Sequence, residues 1–248
     1  MIQFKNVRKS FGDREVLKGI SFEVPRGQIL FILGTSGTGK SVLLKNIVGL
    51  LKPTSGQILI GDKEISSLSE IEMFPVRRMC GMVFQQPALF DSLTIFENVA
   101  FGLRKHQPEL TPSQLSERVK ECLALVNLTG IEHKTTQSIS FGMQKRVSLA
   151  RTLAVSPRIL LFDEPTTGLD PVTTNAINAL IFELSRKLKT TSLVVSHDIQ
   201  CALDIADHIL VLDQGEIVAQ GAPAELKISK HPLVQDFLKE ALSADHSH

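Results

Sequence analysis

The chain has 248 residues, of which 43% are hydrophobic and 21% charged, with a formal net charge of +1. That length suits one large domain, or one domain with a lobe inserted, and the apolar content can supply a core without disulfides. A near-neutral balance excludes the basic footprint expected of a nucleic-acid binder, and no Lys/Arg run resembles a membrane anchor.

The opening stretch, "MIQFKNVRKSF", is charged and lacks the apolar core of a signal peptide. No apolar run approaches the roughly 20 residues that span a bilayer, so any membrane role needs another chain to do the crossing. "EVLKGISFEV" alternates Ile20, Phe22 and Val24, which predicts a half-buried strand of an antiparallel N-terminal sheet. "QILFIL" is continuously apolar and leads to a helix expected from Lys40 to about Leu50. "QILIGDKEI" reads as a hairpin joining the N-terminal sheet, and "GMVFQQPALF" as a strand ending at Gln85. Cys80, Cys122 and Cys201 stand far apart with no CxxC pair, which fits a reducing compartment better than a disulfide framework or zinc site.

Between residues 92 and 153 the strands stop. "PSQLSERVKECLALV" puts Leu115, Val119, Cys122 and Val126 at helical spacing, which predicts an inserted all-helical lobe. "RILLF" then precedes a helix near Pro171, and "TSLVVS" one near Asp198. A hairpin turning at Gln214-Gly215 follows, then two short helices and a frayed "SADHSH" end. Apolar strands alternating with helices imply an α/β fold whose parallel sheet is covered on both faces. The expected division is one domain over residues 1–228 and a short helical tail over 229–248.

The strongest chemical signal is "GTSGTGKS", Gly34 to Ser41, between a buried strand and a helix. It fits a phosphate-binding loop. Glycines at 34, 37 and 39 let the backbone N–H groups of Thr35, Ser36 and Thr38 curl inward, and the helix N-terminus adds positive potential. Lys40 would neutralise β/γ-phosphates and Ser41 would offer a hydroxyl to Mg²⁺. Asp163, at the end of "RILLFD", stands where open α/β sheets place ligands and could hold Mg²⁺. Glu164 could polarise an attacking water. His197, just past a third strand, could bond the γ-phosphate or that water, and the Gln85 amide could reach Mg²⁺ or the water. Asp170-Pro171 is a helix start that its capping role alone explains.

These pieces, in this order and over nearly the whole chain, resemble the ATP-binding-cassette ATPases. The resemblance implies a RecA-like parallel-sheet core with an N-terminal antiparallel β subdomain and an inserted α-helical subdomain. It also implies ATP and Mg²⁺ as cofactors. "ISFGM", Ile139 to Met143, occupies the place of the family's LSGGQ signature. Ser140 and Gly142 would contact ATP held by the opposite subunit of a homodimer, and Phe11 would stack on adenine. Gln85 would couple the site to a membrane permease, and Asp170 would lie in the loop crossing the dimer interface. Phe141 replaces a signature glycine. At positive φ it would be strained by about 1–2 kcal/mol, and a ring crowding the nucleotide would slow hydrolysis.

Val42 in "GKSVLLK" stands where most import ATPases have Thr, and "LFDSLTIFENVAFGLR", "GMQKRVSLAR", "TTGLDPVTTNAIN" and "HPLVQDFL" are similar to the Mla/Mce-type lipid-transport ATPases. That branch implies a lipid permease, an Mce-domain lipid-binding protein, sometimes a STAS-domain subunit, and a peripheral place on the cytoplasmic face of the bacterial inner membrane. Three other readings share the chemical motifs: an amino-acid importer ATPase, a soluble cassette ATPase, and a regulator that binds nucleotide without turnover.

Overall fold

The computed structural model describes residues 1–245, as two sheets wrapped by helices. Four strands form an antiparallel sheet: β1 (Ile2–Phe11), β2 (Arg14–Val24), β4 (Ser55–Ile60) and β5 (Lys63–Glu64), in the order β2-β1-β4-β5. Phe4 stacks on Phe22 across the β1–β2 pair, with ring centroids 4.5 Å apart. The second sheet has the order β10-β9-β3-β8-β7-β6. Its strands are β3 (Ile29–Leu33), β6 (Cys80–Val83), β7 (Ile159–Asp163), β8 (Thr191–Ser196), β9 (His208–Asp213) and β10 (Glu216–Gly221). All but β10 run parallel.

The parallel strands alternate between two cores. Ile29, Phe31, Leu33, Leu160 and Phe162 face one, while Leu30, Ile32, Ile159 and Leu161 face the other. A strand that is buried on both faces reads as an unbroken apolar run, which is why "ILFIL" and "ILLF" have no polar alternation. Phe31 is fully buried. Its replacement by Ala is expected to cost about 3–5 kcal/mol of stability, measured by urea unfolding.

The register of these strands sets the site. Leu33 pairs with Ser196, Asp163 with Val195 and Val83 with Phe162, so four carboxyl ends share one edge. The chain leaves β3 through residues 34–39 into α1 (Lys40–Ile47). This helix is shorter than the sequence suggested. Gly49, at φ 66, lets Leu50 N donate to Lys45 O and Gly49 N to Asn46 O, a closure that ends the helix. A helix absent from the sequence reading, α2 (Glu70–Met79), forms despite Pro75, started by a Ser69/Glu72 capping box.

Between β6 and β7 lie α3 (Ile95–His106), α4 (Pro112–Leu125) and α5 (Phe141–Ala154). Thr94/Glu97 and Thr111/Gln114 boxes start the first two, and the Ser140 hydroxyl accepts from Met143 N to start the third. After β7 and β8 come α6 (Pro171–Leu188), capped by Asp170, and α7 (Ile199–Ile205), capped by Asp198. The chain ends in α8 (Pro223–Lys227) and α9 (Pro232–Asp245). The last helix is not short: it packs on α7 and buries Val234 and Phe237 in the main core. Of the expected frayed end, residues 243–245 are helical and 246–248 lie outside the described residues. No helix among the described residues is long and apolar enough to cross a membrane.

Candidate active site

Glycine geometry shapes the loop after β3. A side chain at Gly34 would meet Leu212 O at 2.5 Å and Thr38 Oγ1 at 2.8 Å. Gly39 is the N-cap of α1 at φ 105, and a side chain there would strike Leu17 at 2.8 Å. Nothing caps α1, because Gly39 has no side chain and the first turn contains no carboxylate. The first N–H groups of that helix therefore stand at the cavity without a side-chain acceptor, a ready position for an anion.

Lys40 is 7% exposed. Its ammonium donates to Gly34 O at 2.6 Å and Thr35 O at 3.0 Å, and lies 3.5 Å from Glu164 Oε1. Ser41 Oγ donates to Asp163 Oδ1 at 2.7 Å. This hydroxyl–carboxylate pair suits a hard cation that prefers oxygen ligands. No group of three or more His, Cys, Asp or Glu among the described residues could hold a metal alone, so such a cation fits best as one arriving with a phosphate ligand.

Glu164 is held in the left-handed region, at φ 49, with its N–H donating to Val195 O at 2.9 Å. A non-glycine residue there costs on the order of 1–3 kcal/mol, a strain that clusters at active sites. The turn aims the carboxylate at His197: Oε2 lies 2.8 Å from Nδ1 and accepts from Thr167 Oγ1 at 3.2 Å. Burial opposes ionisation of Glu164, but the His197 bond and charge and the Lys40 charge outweigh it and lower its pKa. The same bond raises His197 above its ordinary value against the opposing effect of burial. The Glu164 contribution to stability is therefore lost as pH falls through its depressed pKa. The His197 contribution is lost as pH rises through its elevated one. The pair is at full strength between them, from above the ordinary carboxylate value to below the ordinary imidazole value. The His197 side chain remains 63% exposed, open to a ligand.

Lys40, Ser41, Glu164 and His197 line one cavity of about 790 Å³, which Asp163 reaches only through its bond to Ser41. Thr35, Ser36, Gly37, Gly39, Lys40, Ser41, Val42, Gln85, Glu164 and His197 border it, together with Phe11. Thr38 packs behind the loop, its hydroxyl on Thr35 O at 3.0 Å. Phe11 is 46% exposed, leaving a ring face free for a flat ligand. Gln85 is exposed and sits two residues past β6, which closes at Val83 rather than at Gln85 as the sequence suggested. Sequence reading missed Arg14, Val16, Thr167 and Phe237 in this lining. Thr167 stands three residues from Glu164, a turn spacing that could have flagged it. Phe237 has no local signal, since α9 brings it from the far end of the chain.

Ser140, Gly142 and Asp170 do not border the cavity. They gather at a second place, where the α5 and α6 N-termini meet. A side chain at Gly142 would lie 2.8 Å from Thr173 Cγ2, and Thr173 donates to Asp170 through its N–H and its hydroxyl, at 2.9 and 2.6 Å. Phe141 is the first residue of α5 and is not among the residues at positive φ, so the expected backbone strain does not exist. The cap at Ser140 puts the turn one residue earlier, and Phe141 takes ordinary helical geometry.

A phosphate-type loop, the strand-end carboxylate of Glu164 and a histidine converge on one cavity, with Asp163 bonded to Ser41 beside it, and residues 17–167 match the family model for the ABC transporter. This chain belongs to the ABC transporter family. It is similar to the probable ribonucleotide transport ATP-binding protein mkl of Mycobacterium leprae, at 39% identity over 96% of this chain and 68% of that one. The intermembrane phospholipid transport system ATP-binding protein MlaF of Escherichia coli is 38% identical, over 96% and 88%. The methionine import ATP-binding protein MetN of Carboxydothermus hydrogenoformans is 38% identical, over 99% and 73%. Among solved structures, the dimeric post-hydrolysis cassette MJ0796 bound to ADP and Pi is 34% identical, with a TM-score of 0.82 over 90% of this chain and 99% of that one. The chain is accordingly an ABC-type ATP hydrolase.

Proposed function

We propose that this chain is the ATP-hydrolysing subunit of a transporter that moves lipid, most simply phospholipid, through a separate membrane permease. The observation that carries the energetic half is the meeting of Lys40, the Ser41–Asp163 pair and the Glu164–His197 pair at one cavity mouth. Phosphates would lie on the 34–39 loop and the α1 N-terminus, with Lys40 leaving its carbonyl partners to reach them. Adenine would stack on Phe11. Ser41, Asp163 and Gln85 would hold Mg²⁺, which would neutralise phosphate charge. Glu164 would accept a hydrogen bond from the attacking water, and His197 would orient both Glu164 and the γ-phosphate.

The second half of the site would come from another copy. Ser140, Gly142 and Asp170 lie away from the cavity in their own chain, as expected if they complete the site of a partner in a homodimer. Support for a permease comes from an apolar surface beside Gln85. Phe84, Phe90 and Phe101 are 39%, 42% and 50% exposed, and the last two meet at a tilt of 42° with ring centroids 4.7 Å apart. Exposed rings in such numbers suit a docked partner. The lipid reading rests on the similarity to MlaF, an ATP-binding protein of an intermembrane phospholipid transport system; the Mla/Mce-type resemblance of the sequence adds an Mce-domain protein, sometimes a STAS-domain subunit, and the cytoplasmic face of the inner membrane. The similarity to MetN favours an amino-acid importer as the second reading.

A mild-detergent pull-down of tagged chain from native membranes, with mass spectrometry of the recovered chains and lipids, tests this. A permease with an Mce-domain protein and bound lipid is the expected result. A permease with an amino-acid-binding protein, or no membrane partner, overturns the lipid reading.

A further inference from the structure

Lys145 is a buried cation with no part in the chemistry described so far. It sits on the second turn of α5, is 4% exposed, and its ammonium donates to Pro165 O at 2.7 Å. Its other close neighbour is the Phe141 ring, one helical turn back, whose centroid lies 5.3 Å from Nζ. The i, i+4 spacing on a helix puts the two side chains on one face. The same ring reaches toward the next loop, since a side chain on Gly168 would lie 3.6 Å from its Cε1. Phe141 and Lys145 thus tie the start of α5 to residues 165–168 of their own chain.

The residue before Pro165 is Glu164, in its left-handed conformation. One backbone bond and one side-chain bond therefore bracket that turn: Val195 O accepts from Glu164 N, and Pro165 O accepts from the Lys145 ammonium. We propose that Lys145, clamped by the Phe141 ring, is a positioning residue for hydrolysis, holding the Glu164–Pro165 turn from which the carboxylate acts. The inference rests on the reading of Glu164 as the group that polarises water. Phe141 is then no defect in the signature: its ring stabilises a cation that burial disfavours. Burial pulls the Lys145 pKa down to about 8, with the Glu164 charge acting the other way. A buried ammonium with one carbonyl partner gains most from a ring face.

The test measures steady-state ATPase of the full chain as kcat and KM, with ATP affinity from equilibrium dialysis and Tm alongside. Lys145→Met is expected to lower kcat by ~10-fold, with ATP affinity within about twofold, because the lost interaction acts on the turn and not on the nucleotide. Phe141→Gly and Phe141→Leu are each expected to lower kcat by about 3–5-fold, Leu as much as Gly because it has no ring face. Neither should lower kcat further in the Lys145→Met background, since contacting residues are non-additive. Lys145→Arg should recover part of the loss. The inference fails if Lys145→Met lowers Tm alone, if Phe141→Gly raises kcat, if Leu preserves it, or if the Phe141 effect persists without Lys145. Glu164→Gln runs beside them: a wild-type rate there overturns the reading of Glu164 itself, whereas a large loss there with an unchanged Lys145→Met rate overturns only the positioning role. Should Lys145→Met not fold, Phe141→Leu and Lys145→Arg decide by the same criteria.

Discussion

Glu164→Gln is expected to lower the steady-state ATPase rate by ~10²–10⁴-fold while ATP binding survives, the range typical of removing a positioned general base. The amide keeps the shape of the side chain, so the Thr167 hydroxyl still has an oxygen to bond. What is lost is the negative charge facing Lys40 at 3.5 Å and His197 at 2.8 Å. Removing that charge favours nucleotide binding, because the cavity mouth becomes more positive toward phosphate. ATP should therefore accumulate on the protein. A second readout follows from the pair itself. The carboxylate bond is the largest cause of the raised His197 pKa, and burial would lower it. In Glu164→Gln the His197 titration, followed by NMR, should move to lower pH. A His197 curve that does not move would mean that the 2.8 Å contact carries no charge coupling.

Much of this site was legible because its parts obey local rules. Strand, glycine loop and helix announce a phosphate cradle by composition alone, and Asp163, Glu164 and His197 declare themselves by standing just past apolar runs. Parallel register then carries all of them to one edge, which no single stretch of sequence states but the alternation of strands and helices implies. Three features resisted. Pro75 conceals α2, since a proline inside a helix argues against it, and the Ser69/Glu72 capping box that starts the helix carries the opposite signal. Phe141 was misread through its position in a motif. The glycine it replaces suggests a backbone requirement, yet the requirement is absent once Ser140 caps the helix. Lys145 carries no local signal, and only tertiary packing reveals that it is buried against the Pro165 carbonyl. Local signals locate chemistry well. They do not tell which charges the fold takes out of water.

Lys40→Met is the other change with a large expected effect, and its sign differs between binding and stability. In the ligand-free chain the ammonium satisfies Gly34 O and Thr35 O and faces Glu164, so it stabilises the loop in a closed-in state. Replacing it leaves two carbonyls short of a donor and a half-buried carboxylate short of a cation. Hydrogen bonds to a charged group are worth about 1.5–3 kcal/mol, but the exposed loop can recruit water, so the stability loss should fall at or below that range. The effect on nucleotide is larger. The methionine removes the one side-chain cation of the loop, at the point where phosphate charge is concentrated, and losing such a contact costs ~10²–10³-fold in rate. ATP affinity by equilibrium dialysis and ATPase rate should fall together, unlike in Glu164→Gln, where binding survives and turnover does not. That contrast separates a residue that holds phosphate from one that acts on water. If Lys40→Met bound ATP as tightly as the wild type, phosphate recognition would rest on the α1 N-terminus, the loop N–H groups, Mg²⁺ and the other cavity side chains such as His197 and Arg14, with Lys40 left as a brace for Glu164.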